Sequence, residues 1–128
     1  MPLIMIIFLP LILAACDNVD PEQRRLAMHL PPAGFQGNAE QGQVLFRKFC
    51  TSCHGIDGKG SEQGPPLIHP VYRAAHHADL AFHMAVRDGV QPHHWKFGKM
   101  PPQPEVSPED TGHIIAYVRR QQRQAGIQ

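Results

Sequence analysis

Aromatic side chains are scarce in this chain. They make up 7% of its 128 residues, with one tryptophan and two tyrosines. A core drawn from so little large apolar volume is thin, and a domain of this size needs something further to complete it. Cysteine occurs only three times. A structural zinc site takes about four ligands, and no His-x3-5-His element stands at the distance that would make up the number. No segment alternates clearly as a strand does, so a thioredoxin-like redox pair set among strands and helices has no support. Net charge is nearly absent as well: the formal value of +1 argues against a nucleic-acid partner and supplies no bulk attraction to a membrane. Proline and glycine, by contrast, are plentiful, at 13 and 11 residues. That is too many for a regular bundle, and it predicts a few short helices joined by long turns.

The richest stretch is Cys50-Thr51-Ser52-Cys53-His54. CxxCH is the form by which a c-type haem is attached. Each thiol adds across one vinyl group of the porphyrin to give a thioether, and the histidine beside the second cysteine is held under the ring, where a ring nitrogen can bind the iron. Two cysteines that must reach one rigid macrocycle from a single turn of backbone require the two-residue gap. A covalent haem would also supply the apolar volume that the composition lacks.

Residues Met1 to Ala15 carry no charged side chain. From Leu3 the apolar run is shorter than the roughly 20 residues that span a bilayer, and it matches the length of a secretory h-region, although no Lys or Arg precedes it. It ends in Leu13-Ala14-Ala15-Cys16, which resembles the bacterial lipobox. That resemblance implies a signal peptide over 1–15, cleavage before Cys16 and diacylation of Cys16. Asp17 in such precursors points to retention at the inner membrane. Residues 16–36, with Pro21, Pro31 and Pro32 and no sustained periodicity, are expected to be a lipid-anchored tether, with at most a helical turn at Arg24 to Met28.

Three helices are expected in the remainder, 37–128. The first starts at the N-cap Asn38 and runs through Val44, Leu45, Phe46 and Phe49 into Cys50, with Gly42 inside it as a point of close approach. The second covers Asp79 to Arg87, capped by Asp79 and closed by Gly89. The last opens with Ser107-Pro108-Glu109-Asp110, a cap, a first-position proline and two acids, and carries Ile114, Ile115, Tyr117 and Val118 on its apolar face.

Taken together, residues 37 to 124 resemble the class I c-type cytochromes. Gly42, Phe46 and Cys50 keep the spacing of that family's first helix. Ile114 and Tyr117 match the residues its last helix sets against that glycine and aromatic. The resemblance implies that Pro65, in Gly64-Pro65-Pro66-Leu67, accepts a hydrogen bond from the haem histidine. It implies also that Met100, in Gly98-Lys99-Met100-Pro101-Pro102, is the second axial ligand of the iron. A thioether there raises the potential relative to two histidines.

The expectation is therefore an all-α small cytochrome c fold around one covalent haem c, with Cys50, Cys53, His54, Met100 and Pro65 as the site and Cys16 as the lipidation point. Its function would be one-electron transfer between membrane or periplasmic redox proteins, without catalysis because both axial positions are filled. The protein would be monomeric and lipid-anchored on the periplasmic side of the inner membrane. The alternatives are a haem enzyme or sensor with an open sixth site, or a haem module of a larger dehydrogenase or oxidase complex. Met84 is expected in the core. Trp95 could serve a haem propionate or simple packing, and Arg73, Lys96 and Lys99 could flank the haem edge. His76-His77 and His93-His94 read either as a second metal site or as surface histidines, since neighbouring rings on regular backbone diverge and one pair is a poor chelate.

Overall fold

The computed structural model describes residues 19–128. The segment 1–15 expected to be a signal peptide, Cys16 and Asp17 lie outside the described residues. Among the described residues five α-helices occur in order: α1 (Pro21–Ala27), α2 (Ala39–Phe49), α3 (Thr51–His54), α4 (Asp79–Asp88) and α5 (Pro108–Gln124). Single 3-10 turns lie at Ile56–Gly58 and Pro70–Tyr72. Among the described residues the only extended pairing is one antiparallel bridge between Val90 and Met100, so the fold is all-α. No described helix is long and apolar enough to cross a membrane.

The two main helices start where their sequences dictate. Asn38 Oδ1 accepts from the Gln41 amide at 2.8 Å to open α2. Ser107 Oγ accepts from the Asp110 amide at 3.0 Å to open α5, with Pro108 in its first turn. Each side-chain oxygen satisfies one of the amides that a helix start leaves unpaired. At α4 the structure departs from the expectation. Ala78 is the cap and Asp79 is already helical. The Asp79 carboxylate is drawn instead into a 2.9 Å ion pair with Arg119 of α5.

The core forms where α2 crosses α5. Phe46, Val106, Ile114, Tyr117 and Val118 make one buried cluster, and the Phe46 and Tyr117 rings stand 5.4 Å apart. Gly42 fixes the approach. A Cβ there would lie 1.9 Å from the His113 carbonyl oxygen and 3.0 Å from the Tyr117 Cβ, so no larger residue fits at this helix separation. The Tyr117 hydroxyl continues outward to donate to Asp57 at 2.8 Å.

Two further expectations need correction. The segment read as a tether carries α1, and its end docks on α5. Thr111 Oγ1 gives its proton to the Ser107 carbonyl and accepts from His29 Nε2 at 3.2 Å. Pro31 is buried, and the Phe35 ring meets His113 edge-on at 4.9 Å. Met84 is not core: it is 37% exposed, with its sulfur accepting from Arg87.

Candidate functional site

Cys50 closes α2, and the single turn α3 then carries Thr51, Ser52, Cys53 and His54. The helical step continues across the junction, because the amides of Cys53 and His54 both reach back to the Cys50 carbonyl at 3.2 and 2.9 Å. One turn of backbone therefore presents both thiols and the imidazole. The thiols of Cys50 and Cys53 are not joined in a disulfide.

Two local environments decide what these groups can do. Burial, and secondarily the neighbouring Cys53, pushes the Cys50 thiol up to about 12. A thiol held neutral in this way is a poor thiolate ligand for a metal ion. It suits conversion to an uncharged thioether, which loses nothing by being buried. His54 is held below the ordinary imidazole value by burial, with its hydrogen bond to Pro65 opposing the shift. Its Nδ1–H donates to the Pro65 carbonyl oxygen at 2.9 Å. That bond fixes the tautomer and leaves Nε2 with its lone pair, as a neutral iron ligand requires.

The loop that brings Pro65 to His54 is tied down by backbone bonds. The Gly60 amide donates to the His54 carbonyl at 2.7 Å, and the Leu67 and Ile68 amides donate to the Gly58 carbonyl at 2.7 and 3.1 Å. Ser61 Oγ adds a 2.6 Å bond to the Cys53 carbonyl. Leu67 and Ile68 of this loop are partly buried against the central cluster, as are Phe82 and Val86 of α4, and they give the loop an apolar margin. Free thiols on one turn, a histidine in the right tautomer and that apolar margin all fit a covalently held porphyrin.

Met100 lies in a second loop. Val90 and Met100 exchange both backbone hydrogen bonds at 3.0 Å, which closes residues 91–99 into a loop based on the methionine. Gly89, with φ +74°, ends α4 and lies so close that a Cβ would come within 2.3 Å of the Met100 carbonyl oxygen. Met100 itself is partly buried.

Trp95 lies in the same loop. Its indole N–H donates to the Tyr72 hydroxyl at 3.1 Å, and the His69 ring packs on it at 5.0 Å. The indole thus clips the Met100 loop to the Pro70–Tyr72 turn. Arg73, Lys96 and Lys99 are all exposed. Arg119 is a residue that sequence reasoning missed: its guanidinium bonds to Asp79, Gln122 and the carbonyls of Tyr72 and His77. Its mid-helix position on α5, away from the last turn where a cation meets the helix dipole, was the available signal.

Residues 39–122 match the family model described as cytochrome c. No curated protein matches the chain.

Proposed function

The chain belongs to the cytochrome c family, and from that premise we propose that it is a lipid-anchored one-electron carrier whose iron is held between His54 and Met100. Membership carries one covalent haem c and the general role of electron transfer. The observation that supports the finer reading is the 2.9 Å bond from His54 Nδ1 to Pro65 within the CxxCH turn.

The haem, when bound, supplies a one-electron couple at iron. The chain's own residues set the conditions under which that couple works. Cys50 and Cys53 hold the porphyrin edge through thioethers. His54 would hold the iron through Nε2, and the Pro65 carbonyl keeps the ring from rotating and would strengthen its donation. Met100, on a loop closed by the bridge to Val90, would hold it through its sulfur. With both residues bound, water and substrates would be kept off the metal, and the protein would transfer electrons without binding a reactant there. The half-buried surroundings set the potential and leave an edge through which partner proteins exchange electrons.

Attachment at Cys16 places this domain on the periplasmic side of the inner membrane, within reach of membrane-bound donors and acceptors. Two acyl chains anchor stably where one does so only marginally. Cys16→Ser is expected to move the protein out of the membrane fraction or to leave it as uncleaved precursor. Unchanged fractionation with normal cleavage defeats the lipid assignment.

The test of the axial pair is spectroscopic. The oxidised protein should show the weak long-wavelength band of a sulfur-to-iron charge transfer and should not bind carbon monoxide readily when reduced. Met100→Ala should abolish the band, admit carbon monoxide and lower the potential; axial ligand choice moves haem potentials over roughly 0.8 V. A parent protein that lacks the band and binds carbon monoxide favours the open-site enzyme or sensor.

A further inference from the structure

The fold brings together two histidine pairs that the sequence keeps 15 or more residues apart. His76 and His77 follow the Pro70–Tyr72 turn, with their amides bonded to the Arg73 carbonyl at 3.0 and 2.8 Å. His93 and His94 lie in the loop closed by Val90 and Met100. Ring centroids are 5.2 Å apart for His76 and His94, 5.1 Å for His77 and His94, and 4.7 Å for His76 and His77. One nitrogen from each of His76, His77 and His94 lies within 4.8 Å of the other two. We propose that these three imidazoles form a binding site for one divalent transition-metal ion of the copper or zinc class.

Three imidazoles converging from two segments overcome the divergence that makes adjacent histidines a poor chelate. Bonds of 2.0–2.1 Å to a tetrahedral ion place ligand nitrogens about 3.4 Å apart. The site must therefore contract by no more than roughly 1.5 Å. His76 and His94 are exposed and can turn to close that gap. His77 is the oriented member. Its Nδ1–H donates to the Val71 carbonyl at 2.8 Å, so Nε2 is left to coordinate, and Arg119 holds the His77 carbonyl. A ligand histidine whose other nitrogen is bonded to a backbone carbonyl is the usual outer support of a zinc or copper site. The Trp95–Tyr72 hydrogen bond already holds the two segments together, which lowers the ordering cost of binding.

The donor set also selects the ion. It is all nitrogen and has no carboxylate, which disfavours magnesium and calcium and suits zinc or copper. None of the three histidines is Cys50, Cys53, His54 or Met100, and the proposal stands apart from the haem reading. Its consequence is mechanical: a bound ion would fasten the Met100 loop to the 70–77 turn.

Titration calorimetry on the untagged, chelator-washed, haem-loaded protein tests this with Zn2+ and Cu2+ separately. The expected result is one ion per chain, with a melting temperature raised by saturating metal. His76→Ala and His94→Ala should each weaken binding by at least ~10-fold and abolish the thermal shift. Both residues are exposed, so the haem spectrum and the metal-free melting temperature should match those of the parent. The proposal is overturned if neither ion binds stoichiometrically. It is overturned equally if both variants bind as the parent does, or if His93→Ala loses the ion while His94→Ala keeps it.

Discussion

Where α2 crosses α5, the contact is made chiefly by apolar side chains; along residues 55–68 and 89–103, it is made chiefly by backbone hydrogen bonds with a few polar side chains added. At the crossing, Phe46, Tyr117 and Val118 are each at most 1% exposed, and Gly42 admits the carbonyl of His113. In the two loops the ties are amide to carbonyl: Gly60 to His54, Leu67 to Gly58, Met100 to Val90 and Gln103 to Val86. The side chains that bear chemistry beside and within these loops, His54 and Met100, are only partly buried. The crossing is thus stabilised chiefly by its own apolar burial, at about 25 cal/mol per Å². The loops gain far less from burial, and hydrogen bonds alone return about 1 kcal/mol each. A domain arranged in this way uses its helices as a frame and relies on a covalently attached group to organise its loops.

Removing the attachment should break that comparison most severely. Cys50→Ala combined with Cys53→Ala leaves His54 and Met100 in place but removes both thioethers. Little folded protein is expected, because the loops lose the group that orders them. Circular dichroism and haem staining of the exported variant check this. A variant that accumulates with parental helicity and a parental melting temperature would show that the loops stand unaided.

The next largest effect lies at the frame. Gly42→Val would put a branched side chain where even a Cβ meets the His113 carbonyl at 1.9 Å. The helices must separate, and the loss should be about 3 kcal/mol, at the upper end of ordinary overpacking costs. Thermal unfolding of the holoprotein measures it. A midpoint within about two degrees of the parent would place the crossing elsewhere.

The same contrast governs how much could be read from sequence. The frame was legible because its signals are local. Asn38 and Ser107 are caps wherever they precede a helix, and Gly42, Phe46, Ile114 and Tyr117 repeat at helical spacing. The CxxCH turn was legible because the chemistry of one macrocycle imposes its spacing. Asp79 was misread because a capping residue can be captured by a distant cation, here Arg119, forty positions away. The segment before Asn38 looked like a tether because its attachment depends on His29 meeting Thr111, a contact no periodicity announces. Met84 lies on a helix whose partner covers only part of one face. The meeting of His76 and His77 with His94 depends on a 3-10 turn and an indole hydrogen bond, neither of which has a sequence pattern.

The smallest expected effect probes how well the side-chain-packed region excludes a proton. His83 on α4 is 4% exposed, and its Nδ1 has no hydrogen-bond partner. Burial lowers its pKa below the ordinary 6.5; the His29 backbone and Asp79 oppose the shift, and the charges on His29 and Arg25 add to it. Above pH 6.5 the imidazole is neutral whether the chain is folded or not, and its contribution to stability is fully present. As the pH falls below that value, the unfolded chain takes up a proton that the folded chain resists, and stability is lost until the folded pKa is passed. His83→Leu removes this group's share of the acid loss and also removes an unpaired buried nitrogen. Urea unfolding of parent and variant should therefore diverge in the variant's favour as the pH falls from 7 toward 5. Parallel curves would mean that His83 takes up its proton as readily folded as unfolded, and that the packing around α4 is looser than that at the α2–α5 crossing.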